Sequence, residues 1–181
     1  NAHLETAGER HDQVVEPFTN YSVVRARHAR PDGSQGLGVI ATGTVRDLDD
    51  PVSQAAVDRR AFTAGVDGWT HLDDDGVWAL KGYLAASRVT GSPEAIDDLQ
   101  TAPARYFQRP DADHLDHDPT ATTLTGWQGR LALNKQSGNW RLNSTAGYSS
   151  PGYAINDLGF MMRTDVINGS VVGGYSWREP N

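Results

Sequence analysis

Four tight polar turns alternate with three long loops along this chain, and strand-like runs lie between them. The short connections are Arg30-Pro31-Asp32-Gly33-Ser34, Asp73-Asp74-Asp75-Gly76, Lys135-Gln136-Ser137-Gly138 and Ile167-Asn168-Gly169. The long ones span residues 47–59, 89–123 and 150–158. Asp-Gly and Asn-Gly supply the positive φ of a tight hairpin turn, so each short connection reads as a hairpin tip. Short turns at one end of a sheet and long loops at the other mark an up-and-down arrangement whose two ends face different surroundings. Membrane β-barrels are built this way.

Composition narrows the choice. No apolar run approaches the roughly twenty residues of a membrane helix, and hydrophobic residues make up only 38% of the chain. A barrel remains open, because only every second strand residue must face lipid. The formal charge of -7 argues against nucleic acid as a partner, which would select a basic groove. With no Cys, the chain offers no disulfide, thiolate metal site or Cys nucleophile. It begins at Asn1 and stops at Asn181 just after an apparent strand, so a partial β-barrel domain over 1–181, cut from a longer protein, is expected.

Period-two alternation can be followed through about eight runs. In 139–149, Trp140, Leu142, Ser144, Ala146 and Tyr148 share a face opposite Arg141, Asn143 and Thr145. In 124–134, Trp127, Leu131 and Leu133 oppose Gln128, Arg130 and Asn134. Trp78, Leu80, Leu84 and Ala86 oppose Lys81, Tyr83 and Ser87; Phe62, Ala64, Val66 and Leu72 oppose Thr63, Asp67 and His71. Two runs are expected around Asn168-Gly169, the first with Phe160, Met162 and Val166 opposite Arg163 and Asp165, the second with Val171, Tyr175 and Trp177. Leu37, Val39, Ala41 and Val45 alternate well, and 21–27 is an ambiguous partner. Against a second sheet, the apolar face would be the core of a soluble sandwich. Against lipid, it is the outside of a barrel. Run lengths of about nine to eleven residues and single charges on the polar face favour the barrel. The expected fold is therefore all-β, an antiparallel up-and-down meander forming a fragment of an outer-membrane-type barrel.

The loops hold the candidate chemistry. Ser92-Pro93-Glu94 is a helix start, with Ser as N-cap and Pro at the first helical position. Residues 111–118 carry four Asp and two His, residue types that ligate divalent cations. Asp111, Asp113 and Asp116 are the candidate ligands, against the plainer reading of a solvated acidic loop. The spacing lacks the central Gly and terminal Glu of a calcium loop. Gly33-Ser34-Gln35-Gly36-Leu37-Gly38 opens a strand rather than a helix, so it lacks a phosphate-binding helix N-terminus. No G-x-S-x-G elbow occurs. No catalytic residue and no cofactor is expected.

Tyr106-Phe107-Gln108-Arg109-Pro110-Asp111-Ala112-Asp113-His114, Asp118-Pro119, Ser149-Ser150-Pro151-Gly152 and Asn156-Asp157-Leu158-Gly159-Phe160 resemble a family of bacterial envelope proteins. In that family a family-nine-like carbohydrate-binding module precedes a domain of unknown function that resembles an outer-membrane β-barrel. The resemblance implies a location in the bacterial outer membrane, lipid as a partner, and glycan contact through a module N-terminal to Asn1. It brings no established catalytic residues. The expected role is a non-enzymatic barrel segment in an envelope protein linked to carbohydrate binding or uptake. The alternative is a soluble β-sandwich carbohydrate-binding module, with Trp69, Trp78, Trp127 or Trp140 stacking on sugar rings.

Overall fold

The computed structural model describes residues 17–177 in full, and the backbone of 2–6 and 9–13. Seven antiparallel strands form one meander in sequence order: β3 (Thr19–Ala29), β4 (Gln35–Arg46), β5 (Arg60–His71), β6 (Trp78–Thr90), β7 (Thr123–Lys135), β8 (Trp140–Ser149) and β9 (Val166–Tyr175). Each pairs with its chain neighbour, and the sheet is not closed. Two short strands, β1 (Ala2–Thr6) and β2 (Glu9–Gln13), pair separately. The expected all-β meander is observed, in a form consistent with part of a barrel. No helix among the described residues is long and apolar enough to cross a membrane, which says nothing of strands.

Three of the four expected hairpin tips are present. Gly33, Gly76 and Gly138 have φ of 72°, 64° and 87°, the left-handed geometry these turns require. The fourth is a correction. Asn168 and Gly169 lie inside β9, where Gly169 sits opposite Ala146 and has no positive φ. The ladder to β8 continues unbroken through them, so pairing along the whole strand overrides the local turn preference. Of the strand expected over 160–166 only Val166 is in the sheet; 160–165 is loop, which takes Phe160, Met162, Arg163 and Asp165 off it. The break before β9 falls at Asp165, in left-handed backbone (φ 52°). Two expected strands thus become one.

The loop expected over 47–59 contains a short helix, α1 (Pro51–Ala56), with Asp50 as N-cap accepting from Ser53 N. The helix expected after Ser92 is α2 (Pro93–Thr101), and Ser92 caps it by accepting from Ala95 N at 3.2 Å. Such a cap is worth about 1 kcal/mol over alanine.

Register sorts the residues onto two faces. One carries Leu37, Val39, Phe62, Val66, Leu84, Trp127, Leu131, Tyr148, Ile167 and Val171. Much of it is bare: Leu84 is 52% exposed, Leu131 60% and Ile167 85%. The buried core lies on the opposite face. There Ala61, Val89 and Leu124, near the long-loop ends of β5, β6 and β7, are covered by Ile96 of α2 and by Ala154. Ile96 is 0% exposed, and burying such a side chain contributes about 1.5–3 kcal/mol. Loops and helix therefore pack on the polar face, not on the leucine face.

Candidate functional site

The polar face and the loops lying on it form the site. One line of directly opposed residues crosses the sheet from β3 to β9: Arg27, Gly38, Asp67, Tyr83, Arg130, Gly147 and Asn168. Arg25 pairs with Asp67, and the Arg27 guanidinium lies 4.3 Å from the centre of the Trp69 ring. Gln128 Nε2 donates to Tyr83 Oη at 2.9 Å, Arg130 Nη2 donates to Thr145 Oγ1 at 3.2 Å, and Thr145 and Ser170 share a bond of 3.0 Å. Arg25 and Arg27 of β3 reach over β4 to residues of β5, whereas the other pairs join neighbouring strands.

The loop after β8 sits directly on β7. Trp127 N donates to Ser150 Oγ at 2.8 Å, and Ser150 N donates back to Trp127 O at 2.9 Å. Ala154 N reaches Ser87 Oγ on β6 at 2.9 Å. A side chain on Gly126 would place its Cβ 2.1 Å from Tyr153 N, so only glycine allows this seat. The loop after α2 is tied in turn to the first, since Thr164 N donates to Ala104 O at 2.8 Å and Arg105 Nη2 to Tyr153 O at 3.3 Å.

Buried ion pairs lock this assembly. Arg46, at the end of β4, donates Nη1 to Asp58 Oδ2 at 2.7 Å and Nη2 to Asp157, with all three side chains largely shielded from solvent. Burial pushes the Asp58 carboxyl above its ordinary value; Asp157 adds to this and Arg46 opposes it. Arg105 is 2% exposed, and burial pulls its guanidinium below the usual range while Asp157 and Asp58 work against the shift. Asp165 holds Arg109 and, at 2.9 Å, His114 Nε2. Burial would raise the Asp165 carboxyl, but the hydrogen bonds from His114 and Arg109 outweigh it and hold the group below its ordinary value.

Between the loop and the sheet lies a cavity of about 870 Å³. Its lining runs from Ile40 of β4 to Asn168 of β9 and takes in Tyr153, Phe160 and Met161 of the loop. Five strand spacings would separate β4 from β9 by about 24 Å in a flat sheet, so a cavity bounded by both strands and roofed by the loop fits a polar face on the concave side of a coiled sheet.

Asp111, Asp113 and Asp116 are exposed, and Asp111 Oδ1 lies 3.6 Å from Arg109 Nε. His114 turns to Asp165, while His117 Nε2 lies 2.5 Å from Asp97 Oδ1. Among the described residues no three carboxylate or imidazole groups gather as a metal-holding set. The tryptophans do not form one patch either. Trp69 lies on the concave face beneath Arg27, whereas Trp78, Trp127 and Trp140 share the opposite face, Trp127 near the long loops and the others near the short turns. Arg46, Asp58, Arg105 and Asp157 carry no local signal of their joint role. Asn156-Asp157 reads as turn chemistry, and the Arg46–Asp157 pair spans 111 positions of sequence.

Residues 2–181 match the family described as Domain of unknown function (DUF5916). No curated protein and no solved structure matches the chain. Since the match covers nearly every residue, the chain belongs to the DUF5916 family.

Proposed function

We propose that this chain is a non-enzymatic segment of the wall of an outer-membrane β-barrel, with its long loops folded inward as a plug. One observation carries the reading. The buried core and both loops occupy the polar face, while the apolar face stands bare with aromatic residues at both ends. On β8, Trp140 and Tyr148 are eight positions apart, about 26 Å at strand rise, close to the apolar band of about 25 Å between aromatic girdles. Trp127 and Tyr148 pack at 4.9 Å at one height; Trp140, Tyr175 and Trp177 pack at 4.9 and 4.7 Å at the other. Arg60 and Arg88 share the apolar face with Phe62 at the long-loop end, where their heads reach the headgroup level.

The free edges of β3 and β9 support the same reading. They are 11 and 10 residues long, and edges of that length pair with further strands when a barrel closes. The partner is then outer-membrane lipid, and 1–181 is one partial barrel domain. The link to glycan binding or uptake rests on the resemblance to envelope proteins that carry a carbohydrate-binding module. The test is fractionation of the full-length protein, with gel mobility compared before and after boiling. Recovery in the outer membrane with heat-modifiable mobility is expected. A fully water-soluble protein would return the fold to a soluble carbohydrate-binding sandwich.

A further inference from the structure

The concave wall has a charge opposite to that of the chain. The sequence carries a formal charge of -7, yet five cations away from the loop-end ion pairs, Arg25, Arg27, Lys81, Arg130 and Arg141, project from the concave face, against a single strand carboxylate there, Asp67. Four of the five fall within three successive lines of opposed residues, so they form a belt across the sheet rather than a scatter. Asp67 is already held by Arg25. A Cβ on Gly38 would lie 2.6 Å from Arg25 Nη2 and 2.9 Å from Asp67 Oδ2, so the missing side chain there gives this pair its place. Lys81 and Arg130 have no carboxylate within ion-pair distance among the described residues, and both are exposed. Asp67 is also the one carboxylate lining the cavity beside the belt.

Two other cations on this side of the sheet are spent. Arg46 is consumed by Asp58 and Asp157, and Arg109 of the overlying loop by Asp165. The surplus is therefore centred on the belt, with Arg141 beyond it on the same face and the exposed Arg163 of the overlying loop lining the cavity. A concave, low-dielectric wall lined by one sign of charge focuses its field and concentrates counter-ions. Rings of Arg and Lys perform this selection in anion and phosphate pores.

We infer that the concave face is an anion-binding surface, taking a solute with several phosphate, sulfate or carboxylate oxygens, with Lys81 and Arg130 as its principal contacts and Arg27 further across the same face on β3. Calling this wall a lumen rests on the barrel reading above; the binding itself does not. The test is calorimetric titration of the full-length protein, in detergent or in buffer according to how it is recovered, with inorganic tripolyphosphate. A parallel titration with trigalacturonate separates phosphate from sugar-borne carboxylate. Lys81→Gln/Arg130→Gln is compared with Arg60→Gln/Arg88→Gln, which removes the same charge from the apolar face. Binding of either anion that weakens about tenfold or more in the first variant and stays within about twofold of the parent in the second is expected. No binding of either anion, or equal loss in both variants, overturns the proposal. A water-soluble protein that still binds through Lys81 and Arg130 fails the membrane reading and keeps this one.

Discussion

Arg46 at the end of β4 holds Asp157, a residue 111 positions further along the chain, and through it fixes the loop after β8 onto the concave face. The same guanidinium holds Asp58, so one side chain joins the β4–β5 connection to the β8–β9 connection. Removing one partner from a shielded ion cluster leaves uncompensated charge, which costs more than the cluster contributes when complete. Arg46→Met is expected to destabilise the protein by about 3–5 kcal/mol and expose residues 150–165 to protease. Replacing all four charges, with Arg46→Met/Asp58→Leu/Arg105→Met/Asp157→Leu, should recover most of that loss, because no buried charge is then left alone. Guanidinium unfolding and limited proteolysis of the three proteins check this; equal destabilisation in both variants would contradict it.

The seat of the same loop gives a second expectation. Gly126→Val drives a side chain into Tyr153 N, and neither backbone can yield cheaply. A loss of about 1–3 kcal/mol is expected from overpacking. Faster hydrogen exchange should be confined to 150–158 and to its contacts on β6 and β7. Unchanged exchange at Tyr153 and Ala154 would show that the loop is not seated there.

Asp165 sets a pH dependence. Its carboxyl is held below its ordinary value in the folded protein, so it binds a proton less readily there than in the unfolded chain. The stability it contributes is fully present above the ordinary carboxylate range and is lost as pH falls through the folded value. Asp165→Asn keeps a residue that tolerates left-handed backbone and removes the ionisable group. The variant should be less stable than the parent near neutrality, and the gap should shrink as the solution is acidified. Urea unfolding at a series of pH values measures it; a gap that widens in acid would reverse the sign.

Leu131 separates a lipid-facing wall from a water-facing one. It is 60% exposed at mid-face, between the two aromatic heights. Leu131→Arg facing lipid should cost about 2–4 kcal/mol and impair assembly of the full-length protein. The same change on a face open to water should stay within about 0.5 kcal/mol.

Strand identity and facing were legible because they are local. Period-two alternation placed Trp127, Leu131 and Leu133 together opposite Arg130, and the pairing of β7 with β6 and β8 bears this out. Three tight turns were readable because left-handed glycine leaves a chemical mark. Asn168-Gly169 carries the same mark without making a turn, since ten residues of ladder to β8 outweigh a two-residue preference. The loop architecture was legible only at the Ser92 cap. Arg46, Asp58 and Asp157 meet because strands far apart in sequence end together, and nothing local records that.

The most direct measurement of the central claim is site-directed spin labelling along β7 of the full-length protein in lipid vesicles, with single cysteines at 128–133. This chain contributes no native Cys to interfere. Labels at 129, 131 and 133 should collide preferentially with oxygen dissolved in lipid, and labels at 128, 130 and 132 with a water-soluble nickel chelate. The two accessibilities should oscillate out of phase with period two. The opposite phase, or aqueous access at all six positions, would contradict a wall whose leucine face meets lipid.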